Sequence, residues 1–167
     1  IKDFKIEFRT DPPHPKWGVS VLLNGDDVTD YVRSEECGKK ASFFAKKQEV
    51  RSALFNLQRS FGAPNNLVAD GRDMGRVVFP EADLKLFLTA SDEVRANRRY
   101  QQLSQANISA KMSAILCDLK ARDDRDRTRS VSPLKPADDA IIIDTSDLSV
   151  TQVQKRVLEH VNKIIQD

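Results

Sequence analysis

The sequence is poor in the residues that staple or punctuate small folds. Its 167 residues include two cysteines, two histidines and six glycines. Cys37 and Cys117 are far apart and sit in no metal or redox spacing, which excludes a disulfide scaffold and a zinc module. A structural disulfide between them is disfavoured, and a reduced cytoplasmic compartment is expected. His14 falls in a proline loop and His160 in an expected helix, neither with a partner at metal-binding spacing. No apolar run approaches the roughly 20 residues of a membrane span. The opening Ile1-Lys2-Asp3-Phe4-Lys5 lacks the layout of a signal peptide. No Gly-x-Ser-x-Gly or other nucleophile–base motif occurs. The phosphate-binding pattern Gly-x-x-x-x-Gly-Lys-[Ser/Thr] is also absent, since none of the glycines at 18, 25, 38, 62, 71 and 75 opens it.

What is present is a soluble, globular composition, 40% hydrophobic and 31% charged. The net charge of +2 is uninformative, but the arginines are concentrated. One group is Arg95, Arg98 and Arg99; the other is Arg122, Arg125, Arg127 and Arg129. Arginine forks onto phosphate and carboxylate. Asp123, Asp124 and Asp126 interleave with the second group, which suits a small anionic ligand or an internal ion-pair network better than nucleic acid.

Two styles of patterning follow one another. Residues 4–33 read as short antiparallel strands: Phe4, Ile6 and Phe8 alternate with polar residues, as do Val19, Val21 and Leu23. Asn24-Gly25 then signals a hairpin turn. Asp11-Pro12-Pro13-His14-Pro15 cannot join a ladder, and Trp17 reads as a packing residue. From 34 to 61 the period turns helical through Ala45, Val50, Leu54, Leu57 and Phe61, ending at Gly62-Ala63-Pro64-Asn65. Three apolar runs then alternate with helix signals: Leu67–Asp70, Leu84–Leu88 and Ala140–Asp144. Helices are expected from Ser91 to about Leu103, and along Val150, Val153, Val157, Val161 and Ile164. This alternation predicts a parallel sheet of buried strands with helices on its faces. Ligands of such sheets bind beyond the carboxyl ends of the strands, where Asp70-Gly71-Arg72-Asp73 is expected.

Three constellations carry possible chemistry. In Gly71-Arg72-Asp73-Met74-Gly75 the arginine suits a phosphate and the aspartate an amino donor; a tight loop with local ion pairs reads equally well, and Met74 reads as packing. In 120–130, Arg122, Asp126 and Arg129 share a helix face if the segment is helical; the alternative is a solvated helix end. Arg95, Arg98 and Arg99 stand near a helix start, against the macrodipole, where an anion or plain solvent would account for them. Cys117, beside Ala114, Ile115 and Leu116, reads as a buried thiol.

In this order these residues resemble bacterial-type cytidylate kinases, of the nucleoside monophosphate kinase family. The matching stretches are Ala69-Asp-Gly-Arg-Asp-Met-Gly75, Val77-Val-Phe-Pro80, Lys85-Leu-Phe-Leu88, Glu93-Val-Arg-Ala-Asn-Arg-Arg99 and Arg122-Asp-Asp-Arg-Asp-Arg-Thr-Arg129. Pro133-Leu134, Pro136-Ala-Asp138, Asn24–Thr29 and Glu49–Leu54 continue them. The resemblance implies an α/β fold, a three-layer P-loop kinase with a parallel sheet. An antiparallel β plus helical NMP-binding insert (1–62) would precede a core (63–167) bearing an arginine-rich lid at about 93–126. It implies ATP-dependent phosphorylation of CMP and dCMP with Mg2+, by a monomer that binds neither nucleic acid nor membrane. Ser42, Arg51 and Asp73 match cytosine contacts, Arg72 and Arg129 contacts to the CMP phosphate, and Arg122 and Asp126 contacts around the ribose. Arg72, Arg122 and Arg129 would serve catalysis. Arg95, Arg98, Arg99 and Arg125 would serve ATP, Arg98 reaching it most directly.

The departure from the family is the missing phosphate loop. The first β–P-loop–α unit, roughly 30 or more residues, is expected to precede residue 1, with most contacts to ATP and Mg2+. An initial Ile in place of Met fits a partial chain. The 167 residues would then carry the CMP site and the lid and be inactive alone. The alternatives are a non-catalytic CMP-binding fragment and a nucleotide-sensing or nucleic-acid module, the latter disfavoured by the interleaved acids.

Overall fold

Asn24-Gly25 forms a hairpin turn. In the computed structural model, which describes residues 5–62, 66–105 and 108–165, β1 (Ile6–Arg9) and β2 (Ser20–Leu23) pair antiparallel, and β2 pairs with the short β3 (Asp26–Asp27). Leu23 stands opposite Asp26, so only Asn24 and Gly25 remain in the turn, at φ 53° and 94°. Two consecutive positive φ values make a type I′ turn, whose twist matches the strands. Asn24 is tied back to Lys5, its N–H donating to the Lys5 carbonyl and its Oδ1 accepting from the Lys5 N–H, both at 2.8 Å. Phe4, the Ala63-Pro64-Asn65 helix end and residues 106–107 of the expected lid lie outside the described residues.

The predicted alternation holds only in part. Leu22 is the buried residue of β2, while Val21 and Leu23 are half-buried and Phe8 is exposed. The cause is α1 (Thr29–Val32), which occupies a stretch expected to extend the strands and packs on β2. Asp27 Oδ1 accepts from the Thr29 N–H (2.9 Å) and turns the chain; Thr29 Oγ1, 1% exposed, accepts from the Val21 N–H (2.7 Å). Trp17 is half-buried, its indole N–H donating to Asp30 Oδ1 (2.9 Å).

The helical stretch 34–61 divides into α2 (Glu35–Phe44) and α3 (Gln48–Ser60). Ser34 caps α2 by accepting from the Cys37 N–H (3.1 Å). The break at 45–47 follows from tightened bonds, Lys46 N–H to Phe43 O and Lys47 N–H to Phe44 O, which redirect the chain. These elements belong to one compact unit, Ile1–Ser60; Phe61–Asp167 form a second.

The second unit is mixed α/β with a parallel sheet. β4 (Leu86–Thr89) and β5 (Ile141–Asp144) run parallel, Leu86 opposite Ile141 and Thr89 opposite Asp144. α4 (Asp92–Gln105) and α5 (Met112–Thr128) connect them, and α6 (Val150–Ile165) follows. The strand expected at Leu67–Asp70 does not form: this segment joins no ladder among the described residues, and Val68 is 99% exposed. Three apolar residues and an aspartate, with no neighbour among the described residues to accept their backbone bonds, do not hold a strand. For the same reason β4 and β5 are not buried on both faces as expected; Ile143 is buried, but Leu88 and Ile142 are exposed.

α4 and α5 form a helical hairpin around Ala96, Leu103 and Ile115, flanked by Ala110, Leu116 and Leu119. Cys117 is exposed, against the expectation of a buried thiol. Two residues beyond Ile115 it lies about 200° around the helix, away from that core.

Gly75 is where the Lys85 stem packs onto the 71–75 loop; a Cβ at Gly75 would stand 3.2 Å from Lys85 Cγ. The Lys85 side chain is 8% exposed, and its Nζ donates to Pro80 O (2.5 Å) and Asp139 Oδ2 (2.6 Å). The lysine holds the Asp139 carboxyl below its ordinary value of 3.8. A depressed carboxylate contributes stability above its unfolded value and loses it as pH falls through the folded one. The wild type is therefore expected to lose more stability than Asp139→Asn between about pH 5 and 3, measured by urea unfolding at each pH. In the first unit, Thr29→Val leaves the Val21 N–H without its acceptor and is expected to cost about 1–3 kcal/mol in the same measurement.

Candidate functional site

The loop at 71–75 is shaped by one backbone carbonyl. Asp73 O accepts from the N–H groups of Arg76, Val77 and Val78 (3.3, 2.9 and 3.3 Å), and Phe79 N–H donates to Met74 O (2.7 Å). The result is a single π turn, Met74–Val78. Such turns are rare and occur disproportionately at functional sites. Val78, 1% exposed, anchors the turn, and Asp73 is itself buried at 9%.

From this loop Arg72 reaches α5. Its Nε donates to Asp126 Oδ2 (3.3 Å). Arg122 Nε stands 3.9 Å from the same oxygen, and Arg129 Nη1 3.7 Å from Oδ1. Three guanidinium groups thus converge on one carboxylate whose side chain is 5% exposed. Arg129 gets there by leaving the helix: it is the extended cap after α5, and its Nε donates to Ser132 O (2.5 Å). Its side chain is 4% exposed, and its Nη2 is buried with no hydrogen-bond partner. A buried unpaired donor costs about 1–3 kcal/mol. It calls for an acceptor, and a phosphate has the oxygens to meet it.

A second group lies at the carboxyl ends of β4 and β5. There an open cleft of about 350 Å³ is lined by Leu88, Arg95, Arg98, Leu148, Val150 and Val153, among others. Arg98 does not stand free in it. Its Nη1 donates to Thr145 Oγ1 (2.9 Å) and its Nη2 to the carbonyls of Thr145 (2.5 Å) and Leu148 (3.2 Å). Thr145 is buried and donates from its N–H and Oγ1 to Thr89 O (2.8 and 2.9 Å), closing the ends of the two strands. Arg95 ion-pairs with Asp92 (2.7 Å) and with Asp123.

The structure thus unites Arg72, Arg122, Asp126 and Arg129, with Asp73 adjacent in the chain. Arg95 and Arg98 meet at the cleft instead. Arg99 donates to Gln102 (3.5 Å), and Arg125 lies exposed on α5. Ser42 and Arg51 belong to the first unit. Ser42 Oγ on α2 is buried without a hydrogen-bond partner, and Arg51 is half-buried on α3. Sequence reading missed Asp123, Thr145 and Lys85; the first two are named only by tertiary contacts, and Lys85 stands in an apolar run. Among the described residues no three His, Cys, Asp or Glu side chains are arranged to hold a metal ion. These residues do not by themselves make a Mg2+ centre.

The family model for cytidylate kinase matches residues 1–163. A cytidylate kinase of Shewanella denitrificans is 49% identical over 148 residues, covering 89% of this chain and 65% of that protein. One of Cupriavidus necator is 55% identical over 139 residues, covering 83% and 63%. One of Pasteurella multocida is 50% identical over 145 residues, covering 87% and 64%. The chain spans 63–65% of the length of these curated relatives.

Among the described residues Asp126 is the counter-charge within 4 Å of Arg129.

 It therefore carries the cluster, and Asp126→Asn is expected to lower unfolding stability by about 3–5 kcal/mol, by leaving buried guanidinium charge uncompensated. Arg122→Met, at a side chain 44% exposed, should cost under about 1 kcal/mol. Denaturant titration of the two variants checks the contrast.

Proposed function

Because the chain belongs to the cytidylate kinase family, we propose that the protein containing it transfers the γ-phosphoryl group of ATP to CMP and dCMP. The observation that carries this reading is the arginine cluster on Asp126, with the unpartnered buried Nη2 of Arg129. The finer architecture belongs to the same proposal: a three-layer P-loop kinase, in which 1–62 form the NMP-binding insert and 63–167 the core, with a lid at about 93–126.

The roles are those the family resemblance implies, and the chemistry of each group suits its part. Arg72 and Arg129 bind the CMP phosphate, and Arg122 with Asp126 orients the ribose. Asp126 meanwhile keeps the three guanidinium groups together before substrate arrives. Ser42 and Arg51 donate to the O2 and N3 acceptors of cytosine, and Asp73 accepts from its amino group. Uracil presents an oxygen in place of that amino group, which a carboxylate rejects. The mostly apolar cleft beyond β4 and β5 receives ATP, with Arg95 and Arg98 in its wall and Arg99 and Arg125 on the same helical hairpin. Phosphoryl transfer passes through a loose transition state that needs alignment and charge stabilisation more than a base. Arg72, Arg122 and Arg129 supply that charge, and closure of the lid excludes competing water.

An ATP/CMP coupled assay and calorimetric titrations of the intact protein test this reading. CMP should be phosphorylated and bound in preference to UMP. Arg129→Met should lower kcat/KM for CMP by about 10²-fold or more, and Asp73→Asn should narrow the preference for CMP over UMP by about tenfold or more. Equal affinity for CMP and UMP would remove the cytosine assignment, and absence of ATP-dependent turnover would remove the kinase assignment.

A further inference from the structure

Asp123 is a buried acid to which the proposed reaction assigns no part. It is 3% exposed, and it lies on α5 three residues before Asp126. Its carboxylate faces α4, where its Oδ2 ion-pairs with Arg95 Nη2. Arg95 has a second acid, Asp92 one turn earlier, whose side chain is 37% exposed and also stands 4.0 Å from Lys120 Nζ. The buried partner dominates: Asp123 first, and Asp92 after it, hold the Arg95 guanidinium above its ordinary value, against the opposing effect of burial. Arg95 in turn lines the cleft at the ends of β4 and β5, and its Nε is buried without a hydrogen-bond partner. Asp123 does not line that cleft.

We propose that Asp123 is a positioning residue: its carboxylate fixes Arg95 across the α4–α5 hairpin, so that this arginine stands in the wall of the cleft ready for an anionic nucleotide. The inference rests on the reading of that cleft as the ATP side. Two acids on one helix then serve two ligands, Asp126 ordering the arginines for CMP and Asp123 the arginine for ATP. An arginine already held in place loses less conformational freedom when it meets a ligand. A purely structural role would weaken both nucleotides alike, or neither.

The experiment is a double-mutant cycle in the intact protein, with KM for ATP and for CMP measured separately. Asp123→Asn is expected to raise KM for ATP about tenfold and to leave KM for CMP within about twofold. Arg95→Met should do the same, and Asp123→Asn added to Arg95→Met should change KM for ATP by less than about twofold, because the residues act as one unit. Should Asp123→Asn fail to fold, Arg95→Lys takes its place. Lysine keeps the charge without the fork that Asp123 orients, and KM for ATP alone should rise. An unchanged KM for ATP, an equal rise for both substrates, or additive effects in the double variant would overturn the inference while leaving the kinase reading intact. A wild-type protein without turnover would overturn both.

Discussion

One carboxylate organises the second unit. Asp126 is buried with Arg72, Arg122 and Arg129 around it, and its backbone carbonyl accepts from the Leu134 N–H (2.7 Å). The 71–75 loop, distant in sequence, therefore meets the end of α5 and the segment just after it at a single residue. A buried charge is tolerated only where it is paired, so the fold of these segments and the gathering of the arginines are one event. The π turn at Met74–Val78 and the close packing of Gly75 on Lys85 serve the same end, because they fix the loop from which Arg72 projects.

The arginines at the start of α4 show how a local electrostatic penalty is met. Cations near a helix N-terminus oppose its dipole. Arg95 answers to Asp92 and Asp123, and Arg98 to three oxygens of the β5–α6 connection. Protein acceptors thus satisfy much of what a ligand was expected to satisfy. Arg98 gains a second duty as a staple between α4 and the ends of the parallel strands.

Much of this was legible in the residues because local rules and tertiary demands agreed. Asn24-Gly25 has one favourable turn, and Arg122 and Asp126 are one helical turn apart. Helix α6 follows its periodic apolar face, and α4 starts where Ser91 and Glu93 signal it. Where the two disagreed, tertiary context prevailed. Leu67–Asp70 has the composition of a strand but no neighbour to pair with among the described residues. Cys117 has apolar neighbours in sequence, yet it points away from them in space. The 34–61 stretch carries one period, but the tightened bonds at 45–47 divide it. Asp123 and Asp126 look alike in the run of acids and arginines, and only the packing of α4 against α5 tells them apart.

The separation of those two acids has a mechanical consequence. Three residues of α-helix advance about 4.5 Å along the axis, and α5 contains neither glycine nor proline. Nothing between Asp123 and Asp126 offers a hinge. Any tilt or rotation of the upper hairpin that displaces Arg95 must pass into the residue on which Arg72, Arg122 and Arg129 converge. The helix behaves as a rigid shaft with two bearings, and its freedom to flex lies outside that span.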